Sequence, residues 1–277
     1  MGFARLLEPS LNFPLVSVIT PVYNGAAYLD PLILSVQAQD YPNLEHLIID
    51  DGSTDGGATV AVLGRYPHLR WWSRENKGQY PTMNEGLAAA KGEIVIFISA
   101  DDLMEKNAVS VAVNYLLAHP EKDAVYGDYT YIDAAGVPIF PLRPFRHAPT
   151  FLYACSFHIS HSSLFLRKRK LLKNDLNFDP SLRYVGDYNW IIRLLAAPFE
   201  VGRVRESLSV IRQHAEQTTN KSFFKMREET FIVQKRHGVF RFGASLFRKV
   251  YFLARMLTAA RDTGWGSAFA LLRERLK

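Results

Sequence analysis

Two aspartate pairs carry most of the chemistry written in this chain. Asp50-Asp51 closes the apolar run from Leu44 to Ile49, and Asp101-Asp102 follows the run from Ile94 to Ala100. Short, nearly unbroken apolar runs read as buried parallel strands. In open α/β sheets, ligands bind just beyond the carboxyl ends of such strands. Four carboxylates at two strand ends therefore predict one acidic cleft. Carboxylates alone repel phosphate, so the cleft suits a divalent cation, Mg²⁺ or Mn²⁺, together with a phosphorylated substrate. Ser99-Ala100-Asp101-Asp102 is the strongest metal candidate, because two oxygen ligands plus diphosphate and water fill an octahedral shell. Capping of the next helix by Asp101 or Asp102 is the plainer alternative.

Other polar segments flank these pairs. The first strand leads into Thr20-Pro21-Val22-Tyr23-Asn24, and the second into Asp50-Asp51-Gly52-Ser53-Thr54-Asp55. A carboxylate at such a position can accept from a nucleobase N–H or a ribose hydroxyl, and glycine lets the backbone turn close to a ligand. Ser53 or Asp55 also supplies helix-capping chemistry. The stretch from Asn76 to Gly86 opens a helix ahead of the fourth strand. Within it Asn84 is polar in an apolar setting and a poor mid-helix residue. A structural hydrogen bond and a ligand contact both remain open for it.

The elements that must position these residues alternate regularly. Strands are predicted over Leu15–Thr20 (ended by Pro21), Leu44–Asp50, Leu69–Ser73, Glu93–Ser99 and Ala124–Ile132. Helices are predicted over Ala26–Gln39, from Asp55 to about Arg65, over Gly78–Lys91 (ended by Gly92) and over Asn107–His119. This order implies the α/β class, with a mostly parallel central sheet covered by helices on both faces. Beyond about residue 130 the alternation weakens. Pro138, Pro141, Pro144 and Pro149 mark a loop-rich stretch, His158–Leu166 reads as a returning strand, and Gly186–Ala197 reads as a helix with Trp190, Ile191, Leu194 and Leu195 on its apolar face.

Five segments in this order and spacing make the chain resemble family 2 glycosyltransferases. They are Val18 to Asn24, Ile49 to Asp55, Asn76-Lys77-Gly78, Ala90 to Glu93 and Ser99 to Asp102. The resemblance spans roughly residues 14–215 and implies a GT-A (Rossmann-like) fold and an inverting, nucleotide-sugar-dependent enzyme. It places the nucleotide sugar on Pro21, Tyr23, Asn24, Asp50, Asp51, Lys77, Gly78, Asn84 and Asp101. It places a Mn²⁺ or Mg²⁺ ion on Asp101, Asp102 and His214. Ser99 stands where the family usually has Asp. Asp187, in Val185-Gly186-Asp187-Tyr188, aligns with the family's catalytic base, with Gly186 in place of the preceding Glu. An Asp at a helix N-terminus is favoured in its ionised form and can take an acceptor hydroxyl's proton; a plain N-cap is the alternative. His161 falls where related enzymes line the acceptor site. The implied partners are a nucleotide-sugar donor and a glycan or lipid-linked glycan acceptor, as in bacterial surface polysaccharide synthesis.

Composition narrows the rest. The 277 residues are 48% hydrophobic, enough for a sizeable core. A single cysteine, Cys155, excludes an intrachain disulfide and favours a reducing, cytoplasmic setting. No signal-peptide pattern and no stretch of roughly 18 apolar residues is present. Residues 239–277 hold eight Lys/Arg and two acids, a balance of +6 that equals the net charge of the whole chain. The preceding 238 residues are therefore neutral, which disfavours nucleic-acid binding. The division expected is a catalytic domain over 1–238 and a basic amphipathic helical tail over 239–277. Arg241, Arg248 and Arg255 share one face of that tail. It suits peripheral contact with the inner face of a membrane, packing on the domain, or a homodimer contact. A nucleotidylyltransferase would need a Gly-rich basic loop after the first strand, which Pro21–Asn24 does not supply. A dehydrogenase would need Gly-x-Gly-x-x-Gly there. A binding module with decayed catalysis draws support only from Ser99 and Gly186.

Overall fold

The computed structural model describes residues 13–144 and 159–238. Cys155, His158, Pro149 and the basic tail 239–277 lie outside the described residues. The elements are β1 (Val16–Val22), α1 (Ala26–Gln37), β2 (Leu44–Asp50), α2 (Ala58–Leu63), β3 (Arg70–Ser73), α3 (Gln79–Ala89), β4 (Ile94–Phe97), β5 (Leu103–Met104), α4 (Ala108–Ala118), β6 (Ala124–Ile132) and β7 (Pro138–Leu142). After these come β8 (Leu164–Arg167), α5 (Lys168–Lys173), α6 (Gly186–Ala196), β9 (Val201–Arg212), α7 (Thr218–Lys221) and α8 (Phe223–Arg236).

The described strands form one sheet in the order β3-β2-β1-β4-β8-β6-β9-β5, with β7 on the outer part of β6. The block β3-β2-β1-β4 is parallel. β8 runs antiparallel to both β4 and β6, and β9 is parallel to β6. Alternate side chains serve opposite faces, as strand pleating requires. Val16, Val18, Ile94, Ile96 and Ile98 pack with Leu29, Leu32 and Ile33 of α1 and with Val109 and Val113 of α4. Ile19, Val95 and Phe97 pack on the other face with Met83 of α3 and Trp190 and Ile191 of α6. Phe178 anchors that second core. Its ring stacks on Trp190 at 4.4 Å and meets Phe97 edge-on at 4.9 Å, arrangements aromatic quadrupoles favour.

Several sequence expectations are corrected. Pro21 does not end β1 but lies within it, opposite Ile49 of β2. Ile19 O accepts from Ile98 N, while Val22 O accepts from Asp51 N. Odd-numbered residues here thus face β4, whose pairing with β1 stops at Ile19, so proline removes no ladder bond. Gly92 is not a left-handed helix cap. Its N–H donates to Ser17 Oγ at 2.8 Å, and a Cβ would come within 2.5 Å of that oxygen. The glycine is there to admit β1. The proline-rich stretch is not wholly loop: Pro138 and Pro141 sit in β7, which among the described residues pairs only with β6, where a missing N–H is tolerated. The returning strand expected over His158–Leu166 starts later, as β8 from Leu164 to Arg167, with a 3₁₀ turn at His161–Ser163 before it.

Candidate active site

The carboxyl ends of β1, β2 and β4 open on one edge of the sheet. At the β2 end, Asp50 and Asp51 are 1% and 3% exposed. Asp50 accepts from Ser53 N and Oγ on one oxygen and from Ser73 Oγ on the other. Asp51 accepts from the backbone N–H groups of Lys77 (2.8 Å) and Gly78 (2.9 Å) and pairs with Arg74 Nη1. Gly78 has φ +95° and Gly52 φ +71°, and a Cβ on Gly52 would lie 2.8 Å from Asn76 N. The two loops are therefore pressed together by residues only glycine can supply. Asn24 (φ +51°) ties in the third loop, accepting from Thr54 N at 2.7 Å and donating its own N–H to Ser53 Oγ at 2.8 Å. Tyr23, half exposed, reaches Thr54 Oγ1 at 3.3 Å.

At the β4 end the two aspartates diverge. Asp101 faces the cleft, with its Oδ2 3.0 Å from His214 Nε2 and 3.1 Å from Gln217 Nε2. Asp102, expected to share a metal ion, turns inward instead. It is 4% exposed, and its oxygens accept from Ser162 Oγ (2.8 Å) and Arg212 N (3.2 Å). Burial, with the Asp101 charge added, pushes its carboxyl up to about 7. Arg212 braces the same corner. Its Nε donates to Asp101 O and its Nη1 to the carbonyls of Asp133 and Ala134. Tyr28 packs against His214 at 4.5 Å and lies under the Arg212 guanidinium.

Among the described residues no group of three or more His, Cys, Asp or Glu gathers to hold a metal unaided. The Asp101–His214 pair nevertheless fits a Mg²⁺ or Mn²⁺ ion completed by a donor's phosphates and water. A carboxylate oxygen and an imidazole nitrogen 3.0 Å apart are donor types such an ion accepts.

The third cluster joins β4 to α6. Ser99 Oγ lies 3.2 Å from His161 Nε2, and His161 Nδ1 lies 3.4 Å from Asp187 Oδ2, an ion-pair separation. Asp187 Oδ1 accepts from Tyr80 OH at 3.2 Å and from Tyr188 N at 2.9 Å. Burial alone would lower the His161 pKa. Asp187, then Asp102 and Asp101, outweigh it and hold the imidazole above its usual value. His161 is 8% exposed and sits against the Asp187 carboxylate.

The structure thus brings together Asp101 with His214, Asp51 with Lys77 and Gly78, and His161 with Asp187. Asn84 Nδ2 donates to Phe178 O (2.9 Å) and its Oδ1 accepts from Phe178 N (2.8 Å), hydrogen bonds of the structural kind. Sequence reasoning passed over Arg74, Tyr80, Arg212, Gln217 and Ser162. Arg74 and Arg212 each sit just beyond or at the end of a strand that enters the cleft, the one signal that could have singled them out.

The profile described as "Glycosyl transferase family 2" matches residues 17–176. An uncharacterized glycosyltransferase of Rickettsia typhi is 34% identical over 224 residues, covering 78% of this chain and 69% of the relative. The "Putative teichuronic acid biosynthesis glycosyltransferase TuaG" of Bacillus subtilis is 33% identical over 49% of this chain and 54% of its own length. Among solved structures, Staphylococcus aureus TarS 1-349 in complex with UDP-GlcNAc superimposes with a TM-score of 0.60 at 20% identity, covering 91% of this chain and 75% of that one. The mannosyltransferase PcManGT of Pyrobaculum calidifontis, in complex with GDP-Man and Mn²⁺, gives 0.57 at 21% identity, covering 95% and 80%.

Proposed function

Because this chain belongs to glycosyl transferase family 2 and has the GT-A fold, we propose that it is an inverting transferase. It moves a sugar from a nucleoside diphosphate to a hydroxyl of a glycan or lipid-linked glycan. The observation that carries this reading is two carboxylate–imidazole pairs beyond the carboxyl ends of the strands, Asp101–His214 and Asp187–His161, the second reached by Ser99 two residues before Asp101. The donor complexes of TarS and PcManGT support a nucleotide-sugar donor, and TuaG supports a role in surface polysaccharide synthesis. Asp51, braced by Arg74 and the Lys77–Gly78 backbone, marks the nucleotide end.

Asp101 and His214 are the residues that would hold Mn²⁺ or Mg²⁺ beside the donor diphosphate, and a bound ion there supplies charge neutralisation for the departing phosphate. Asp187 accepts the acceptor hydroxyl's proton as that oxygen bonds to the anomeric carbon. The bond from that carbon to the phosphate oxygen breaks, and the nucleoside diphosphate leaves with the electron pair. Attack from the face opposite the leaving group inverts the centre. His161, whose imidazole is held above its usual pKa chiefly by Asp187 against the cost of burial, orients the carboxylate beside it.

A thermal-shift screen of UDP-, GDP- and dTDP-sugars with and without Mn²⁺ tests the donor class. One donor should raise the Tm in a Mn²⁺-dependent manner, since a ligand selective for the native state stabilises it by mass action. Indifference to every nucleotide and nucleotide sugar would remove the proposal.

A further inference from the structure

We propose that Tyr80 is the positioning residue that aims Asp187, and that Gly186 is glycine to make room for it. The inference rests on Asp187 being the base. Tyr80 stands in the first turn of α3, only 2% exposed, with its hydroxyl donating to Asp187 Oδ1 at 3.2 Å. Its ring lies flat against the backbone at the start of α6. A Cβ on Gly186 would come 2.5, 2.6 and 2.7 Å from Cδ2, Cε2 and Cγ of that ring. No side chain fits there while the ring stays where it is.

The ring is also held from behind. It stacks on Phe178 at 5.9 Å with an interplanar angle of 19°. The Phe178 peptide is clamped by Asn84, one turn further along α3. One helix therefore supplies both the phenol that touches Asp187 and the amide that fixes the phenol's neighbour. Burial, reinforced by the Asp187 charge, keeps the Tyr80 hydroxyl well above its usual pKa, so it remains a donor. With Oδ1 occupied by Tyr80 OH and Tyr188 N, Oδ2 on the His161 side is the oxygen left to meet an acceptor hydroxyl. A base fixed in this way pays no reorientation at the moment of proton transfer.

The test compares Tyr80→Phe, Asp187→Asn and the wild type in full-length protein, measuring kcat, acceptor and donor KM, and donor binding by calorimetry. Tyr80→Phe keeps the ring and removes only the hydroxyl. It should lower kcat by about 10- to 100-fold, the scale of a misaimed group, while donor affinity and Tm stay at wild-type values. A kcat within twofold of wild type overturns the proposal. If Asp187→Asn abolishes transfer while Tyr80→Phe does nothing, the positioning role alone fails. If Asp187→Asn turns over normally, the base assignment fails with it. Gly186→Ala supplies a second reading through Tm. It should destabilise the wild type strongly and the Tyr80→Ala background little, because contacting residues couple in a double-mutant cycle. Equal loss in both backgrounds contradicts the steric half of the proposal.

Discussion

Asn84 shows how a single side chain can imitate a strand. Its amide donates to the C=O and accepts from the N–H of one residue, Phe178, 94 residues away. Asn84→Ala leaves both Phe178 groups without that partner. It should cost roughly 1–3 kcal/mol of stability and leave nucleotide-sugar affinity unchanged, as urea denaturation and calorimetry would read. Weakened donor affinity at unchanged stability would return Asn84 to the ligand site. The sequence shows a polar residue in an apolar setting, but a partner so distant along the chain is legible only once the chain is folded. The same holds for Asp101 and Asp102. Both are visible as a strand-end pair, yet nothing in adjacent identical residues says which faces the cleft and which turns to Ser162.

Among the elements, α8 does what no motif announces. Glu229 accepts the backbone N–H groups of Arg183 (2.8 Å), Tyr184 (2.6 Å) and Val185 (2.8 Å), the segment that leads into α6 and Asp187. Helix starts leave N–H groups unpaired, and here a carboxylate from another helix gathers the approach to one. His237, just past α8, adds a contact to Asn189 Oδ1 at 3.0 Å. Glu229→Ala should lower stability by about 1–3 kcal/mol and reduce kcat more than donor affinity; full activity at wild-type Tm would show that α8 does not steady the site. Strands β1, β2, β4 and β6 were legible as apolar runs because both their faces are buried. β5 is two residues long, and β7 carries prolines on an edge. In α8, Phe223, Phe224, Phe231 and Ile232 stay exposed, so burial left no clean apolar stripe to read.

At the scale of the molecule, the antiparallel junction of β4 with β8 divides the sheet into two blocks that meet at the site. The parallel block delivers Asp51 and Asp101, and the mixed block delivers His161 and His214. Alternating strands and helices made the first block readable. The second depends on long-range pairing, which periodicity does not encode. The packed sheet also sets a pH limit. His46, in β2, is 5% exposed beside Thr20 Oγ1, and burial, with a smaller effect of His68, lowers its pKa to about 3. Between about pH 6.5 and pH 3 the unfolded chain holds a proton there that the folded chain does not. This group's contribution to stability therefore falls as pH drops, by up to about 1.4 kcal/mol per unit. His161, with its raised pKa, contributes with the opposite sign, lost as pH rises. Comparing urea midpoints at pH 7 and pH 5 for wild type and His46→Gln isolates the His46 part. The variant should lose less on acidification, and equal losses would contradict it.

The proposed chemistry divides its labour across one cleft, with donor binding at Asp101 and His214 and proton abstraction at Asp187. Calorimetric donor binding with and without Mn²⁺, paired with single-turnover transfer for Asp101→Asn and Asp187→Asn, tests it most directly. Asp187→Asn should bind donor as the wild type does while transfer falls by about 10²- to 10⁴-fold. Asp101→Asn should lose the Mn²⁺-dependent part of donor binding. Near-normal transfer by Asp187→Asn, or intact Mn²⁺-dependent binding by Asp101→Asn, would rule out that division.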